Sequence, residues 1–147
     1  MMITSSKLKC VSLLLSMVIF AVLVSECSSQ RSKWDNIHTS VANDIIDMSG
    51  GGELKIHCKS KDDDLGEHRL AYGAEIAWQF KMNIWETTMY WCNMWVNDVY
   101  KGGYHIYEAK RDWIRCQNEC HYYARNDGLY GLIREKNDTE LVYRWPN

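Results

Sequence analysis

Apolar residues recur at every second position along much of this chain. Leu54, Ile56 and Cys58 alternate with Lys55, His57 and Lys59. Ile37, Thr39 and Val41 alternate with Asn36, His38 and Ser40. Ala74, Ile76, Trp78 and Phe80 alternate with Glu75, Gln79 and Lys81, and only the small Ala77 departs from the pattern. A strand points successive side chains to opposite faces, whereas a helix would need apolar residues three and four apart. Residues 87–95 are rich in β-branched and aromatic side chains, which pack well on a pleated surface. Shorter strand candidates are 104–107, 122–124, 129–133 and 141–145. Ser49-Gly50-Gly51-Gly52, Gly102-Gly103 and Asn126-Asp127-Gly128 supply turn chemistry between them. Residues 111–115 suit a helical turn, and no segment after the N-terminal region suits a long helix. Short strands separated by turns predict an all-β fold, a sandwich or a barrel. The one proline, Pro146, leaves no proline-rich linker to divide the chain.

The N-terminus reads differently. Lys7 and Lys9 precede an apolar run over residues 11–24, interrupted only by Ser12 and Ser16. A basic segment followed by an apolar run of that length is the pattern of a signal peptide. The run falls short of the roughly 20 residues a membrane-spanning helix needs. Small residues at Ser25, Cys27, Ser28 and Ser29 place cleavage after Cys27 or Ser29. The expected organisation is a signal peptide over 1–29 and one domain over 30–147, giving a secreted, extracellular product that does not insert in a membrane. Removing Lys7, Lys9 and Glu26 from 17 basic and 19 acidic residues leaves 15 and 18, a net charge near −3. No clustered basic face of the kind nucleic acid requires is present.

Cys10 and Cys27 fall in or beside the signal segment, leaving Cys58, Cys92, Cys116 and Cys120 in the domain. An even count in a small secreted chain reads as a disulfide framework. Four cysteines allow three pairings, and spacing alone selects none. Cys58, Cys92 and Cys120 each share a strand face with apolar neighbours. Cys116 lies only four positions before Cys120, which suggests separate partners. The expected pairs are Cys58–Cys120 and Cys92–Cys116, each contributing about 2–4 kcal/mol.

The acidic run Asp62-Asp63-Asp64 raises the question of calcium. Calcium loops alternate carboxylates with spacers, and three consecutive aspartates do not converge easily. The better reading is a solvated loop, tied by Ser60 and an aspartate side chain to nearby amides. His38, His57, His68, His105 and His121 show no close metal-ligand spacing. Neither a Gly-x-Ser-x-Gly elbow nor a His-Glu-x-x-His motif is present. No enzyme, cofactor or metal is therefore expected. Seven Trp and nine Tyr exceed what so small a core needs, and aromatics dominate interface hot spots. Trp91 and Trp95 form the candidate exposed row, since Cys92 and Met94 claim the opposite face. Asn137-Asp138-Thr139 is an N-glycosylation sequon.

Three segments together resemble a known family. They are His57-Cys58-Lys59-Ser60-Lys61-Asp62-Asp63-Asp64-Leu65-Gly66, Trp78-Gln79-Phe80-Lys81-Met82-Asn83 leading through Thr87-Thr88 to Tyr90-Trp91-Cys92, and Arg115-Cys116 to Cys120 followed by Asp127-Gly128. Their order and spacing are similar to the plant self-incompatibility S-protein family. The resemblance covers about residues 37–130, and its first segment is the most specific. It implies a small, single-domain, immunoglobulin-like β-sandwich that is secreted and stabilised by disulfides. In the poppy-type system such a protein is secreted by the stigma and recognised by a pollen-borne membrane protein, and incompatible pollen is inhibited. Most members have no assigned role. This chain departs from the pattern at Tyr122, where many relatives carry Trp, and at Leu129-Tyr130, where many carry a further Cys. Its tail over 132–147 is also longer. The resemblance implies an extracellular signalling ligand recognised by a membrane receptor on a target cell. The loops 59–66 and 110–115 are the expected recognition segments, with Asp62, Asp64, Lys110, Arg111 and Asp112 in or near the partner surface. The alternative is a secreted plant defence protein acting on microbes or their enzymes. The mildly acidic charge argues against direct attack on anionic membranes.

Overall fold

Alternation becomes burial. In the computed structural model, which describes Ser32 and residues 35–133 and 136–146, Leu54, Ile56 and Cys58 of β2 (Leu54–Lys59) are fully enclosed, and Lys55, His57 and Lys59 face outward. The described residues lie within one unit, Ser32–Asn147. The expected signal segment, with Cys10, Cys27 and both cleavage positions, lies outside the described residues.

The remaining elements are β1 (Asn36–Asn43), β3 (Asp64–Leu70), β4 (Glu75–Lys81), β5 (Met89–Val96), β6 (Val99–Glu108), α1 (Ala109–Arg115), β7 (Glu119–Arg125), β8 (Gly128–Ile133) and β9 (Asp138–Arg144). One sheet has the order β4-β1-β7-β8-β9 and the other β3-β2-β5-β6. All pairings are antiparallel except β1 with β7. The fold is the expected β-sandwich. Ile37, Val41, Leu54, Ile56, Met94, Ile106, Tyr122 and Leu129 meet between the sheets with no exposure. Burying such a side chain contributes about 1.5–3 kcal/mol. Asn43 is also buried, with its amide donating to the Gly52 and Leu70 carbonyls at 2.7 and 2.8 Å. It thereby ties the β1–β2 connection and the end of β3 to the end of β1.

The cysteines pair differently from the expectation. Cys58 bonds Cys92, and Cys116 bonds Cys120. Cys58 and Cys92 are direct cross-strand partners of β2 and β5, with Cα atoms 4.0 Å apart. Cys58 thus finds its partner across the ladder of its own sheet, and Cys120, in β7 of the other sheet, bonds the cysteine of the turn just before its strand. The four-residue spacing of Cys116 and Cys120 is no obstacle. The helix ends at Arg115, and Gln117 at φ 53° reverses the chain, bringing the two Cα atoms within 5.1 Å.

Two further expectations are corrected. Gly102-Gly103 is not a turn but lies inside β6, beside a register shift between Met94 and Trp95. The turn falls at Asn97-Asp98, at φ 48° and 63°. Asn and Asp tolerate this left-handed conformation, which matches the twist of a two-residue hairpin. The acidic loop is also shorter than 59–66, because β3 begins at Asp64.

Candidate functional site

The β2–β3 connection, the β4–β5 connection and α1 emerge at the same end of the sandwich. β2 and β5 are antiparallel, as are β5 and β6, so the last residue of β2, the first of β5 and the last of β6 lie together. The two segments expected to carry recognition thus share one end.

The aspartates have separate tasks. Ser60 Oγ accepts the Asp63 N–H at 3.0 Å and the Asp62 N–H at 3.3 Å, and the Ser60 N–H donates to the Asp63 carbonyl at 2.8 Å. The Asp63 carboxylate accepts the Tyr90 hydroxyl at 2.9 Å. Burial first, and this carboxylate second, raise the Tyr90 pKa. Asp64 Oδ1 accepts the Gly66 N–H at 2.9 Å and lies 2.5 Å from His57 Nε2. The Gly66 N–H, and then His57, hold the Asp64 carboxyl below its ordinary value. This is the tied, solvated loop that the sequence suggested. Among the described residues no three His, Cys, Asp or Glu side chains are grouped to hold a metal ion. Asp62 is exposed at the rim.

The β4–β5 connection is held by its own polar side chains. The Asn83 N–H donates to Thr88 Oγ1 at 2.9 Å, and its amide donates to Thr87 Oγ1 at 2.8 Å. The Thr87 N–H returns a bond to Asn83 Oδ1 at 2.9 Å. Glu86 completes the reversal at φ 55°. Between these ties Ile84 is 70% and Trp85 76% exposed. An aromatic and a branched aliphatic side chain displayed on a tied loop cost little further ordering when a partner covers them. Sequence reasoning missed both. The available signal was an apolar pair between Asn83 and Thr87, where turn residues are ordinarily polar. A cleft of about 670 Å³ separates this loop from Ser60–Asp63, with Phe80, Lys81, Tyr90 and Trp91 among its lining.

The helix corrects another expectation. Asp112 lies on no partner surface, because its side chain is fully buried. Its carboxylate accepts the Glu108 N–H at 2.7 Å, Arg111 at 3.0 and 2.7 Å and Arg115 Nε at 2.9 Å. Burial works against the Arg111 charge, but the hydrogen bonds and charge of Asp112 outweigh it and raise the guanidinium's pKa. Arg111 also donates to the Tyr143 hydroxyl at 2.7 Å and the His105 carbonyl at 2.8 Å, and so pins β6 to β9. Arg111 is thus engaged in holding the fold. Lys110 remains exposed, beside Ile114 at 84% exposure.

Trp91 and Trp95 do lie on the face opposite Cys92 and Met94, but both are half-buried. Lys55 Nζ sits 4.2 Å over the Trp95 ring, and Tyr100 packs beside it at 5.3 Å. On the outer face of the five-stranded sheet, Ser40 Oγ lies 2.8 Å from His121 Nδ1, while Glu119 stands 3.6 Å from Nε2. These are the residue types of a nucleophilic triad, but 3.6 Å is too long for the hydrogen bond that orients the base. Asn137 is exposed at φ 47° between β8 and β9.

The comparisons agree with this architecture. The family model described as plant self-incompatibility protein S1 matches residues 38–145. S-protein homolog 24 of Arabidopsis thaliana is 34% identical, over 98% of this chain and 99% of its own length. Self-incompatibility protein S1 of Papaver rhoeas is 33% identical, over 67% of this chain and 73% of its own. A solved structure of SPH (Self-Incompatibility Protein Homologue) proteins, described as a widespread family of small, highly stable, secreted proteins from plants, shares the fold. Its TM-score is 0.55 at 20% identity, over 78% of this chain and 97% of that one. No described helix is long and apolar enough to cross a membrane. By the span of the family match and the identity of its relatives, the chain belongs to the plant self-incompatibility protein S1 family.

Proposed function

We propose that this protein is a secreted extracellular signalling ligand, recognised by a membrane receptor protein on a target cell. The receptor meets the sandwich end that carries the β2–β3 and β4–β5 connections. The observation that carries this reading is the Ile84–Trp85 pair, 70% and 76% exposed on a loop tied by Asn83, Thr87 and Thr88. Lys61, Asp62 and Lys81, all exposed, supply the polar rim that surrounds an apolar anchor in protein interfaces. A rigid scaffold carrying recognition on its loops is the usual division of labour. Membership of a family that includes a self-incompatibility protein supports the ligand class.

The test uses the folded, oxidised protein, labelled and titrated onto plant cells, followed by affinity capture from their membranes. Saturable binding to a membrane protein is expected. Trp85→Ala weakens it about 30-fold, the scale of a hot-spot side chain, without changing thermal stability. Unsaturable binding, or full affinity in Trp85→Ala and Ile84→Ala, overturns the proposal.

A further inference from the structure

β4 is an edge strand of the five-stranded sheet and β3 an edge strand of the four-stranded one. The chain crosses between them at residues 71–74. At the other end the cleft opens, with Ser60–Asp63 on one side and Gln79–Lys81 on the other. The ladder shows which backbone groups of β4 are free. The Asn43 N–H donates to the Ala74 carbonyl at 2.9 Å. Because an antiparallel pair alternates bonded and non-bonded positions, Ile76, Trp78 and Phe80 exchange bonds with β1. Glu75, Ala77, Gln79 and Lys81 therefore turn their N–H and C=O groups away from β1. Among the described residues these outward groups have no backbone partner.

An open edge is a template for an added strand, and proteins usually shield it. β3 is shielded by Gly66 at φ 76°, a register shift and the exposed side chains of Asp64, Glu67, His68 and Arg69. β9 carries Asp138, Glu140 and Arg144 and faces a register shift in β8. β4 is regular over seven residues, carries charge only at its two ends, Glu75 and Lys81, and has no proline.

We propose that the free edge of β4 from Ala77 to Lys81 receives an extended segment of the partner protein as an added strand. Main-chain hydrogen bonds hold the segment, and one of its apolar side chains enters the cleft against Phe80 and Tyr90. This rests on the reading of this end as the partner-facing one. The rim carries Lys61, Lys81 and Asp62. It therefore suits a segment with polar residues of both signs rather than a tract of one charge.

Proline tests the edge directly. At an outward-facing position of an edge strand, proline removes the free N–H and leaves the ladder to β1 intact. The probe is a displayed library of short random peptides, selected on the folded, oxidised protein. The selected peptides are expected to lose about tenfold in affinity for Gln79→Pro, and likewise for Ala77→Pro, while binding Gln79→Ala as they bind the wild type. Circular dichroism and Tm identify the variants that stay folded. Unchanged binding to both proline variants overturns the proposal. So does a concentration-dependent dimer abolished by Gln79→Pro, which assigns the edge to a second copy. Cell binding lost in Trp85→Ala but intact in Gln79→Pro removes the edge inference and keeps the ligand reading. Proline-sensitive peptide binding by a protein that binds no cell keeps the edge inference and removes the ligand reading.

Discussion

Replacing Asp112 by alanine separates a structural role from a partner-facing one. The carboxylate is fully enclosed and serves two guanidinium groups and one backbone N–H. Removing one partner of a buried ion pair costs about 3–5 kcal/mol, because the charge left behind is uncompensated. Here Arg115 is 14% exposed and cannot rehydrate in place, whereas Arg111 at 31% recovers part of its hydration. That points to the lower part of the range, about 3 kcal/mol. The orphaned Glu108 N–H adds about 1 kcal/mol. For a domain of this size each kcal/mol lowers Tm by about 4 °C, so Asp112→Ala melts about 16 °C below the wild type. Asp112→Asn keeps the volume and one acceptor oxygen and falls between the two. Thermal unfolding followed by circular dichroism, with urea unfolding as a second measure, reads the effect. A Tm loss under about 4 °C refutes the buried-pair reasoning. A cell-binding defect with unchanged Tm restores Asp112 to a partner surface.

The two disulfides close loops of very different length, with separations of 34 and 4 residues. Loop-closure entropy then gives about 4 kcal/mol for Cys58–Cys92 and about 2 kcal/mol for Cys116–Cys120, to be compared in the two paired Cys→Ala variants by urea unfolding. Non-reducing peptide mapping that recovers Cys58 linked to Cys120 would refute the pairing. The Asp64 carboxyl, held below its ordinary 3.8, contributes stability that is fully present above that value and is lost as pH falls through its folded value. The Tm difference between wild type and Asp64→Asn therefore narrows below pH 3.8, and a difference independent of pH contradicts it. Expressed in plant cells, the protein carries a glycan on the exposed Asn137. An endoglycosidase shift in gel mobility, absent from Asn137→Gln, is the check.

Much of the fold was legible from local pattern. Side-chain period two marked β1, β2 and β4, because burial of one sheet face imposes that alternation. Asn126-Asp127-Gly128 marked the β7–β8 turn, because those residue types accept the required backbone. The β2–β3 tether was legible for a similar reason. Ser60 and the aspartates act over two or three residues, within reach of sequence spacing. Asn97-Asp98 was overlooked in favour of Gly102-Gly103, since glycine is the stronger turn signal and a glycine inside a bulged strand looks the same in one dimension.

The site was less legible. Asp112 reads as surface charge in sequence, and only its enclosure with Arg111, Arg115 and the Glu108 amide makes it structural. The display of Ile84 and Trp85 depends on a hydrogen-bonded loop whose closure is not a pattern of periodicity. By itself, the sequence determined the all-β class, the family and the tied acidic loop, since strand alternation and short-range hydrogen bonds are local physics. Tertiary structure decided the disulfide partners, the burial of Asp112, the cleft and the open edge of β4. Each of these depends on which strands become neighbours and in what register, and that choice is made by packing residues far apart in the chain.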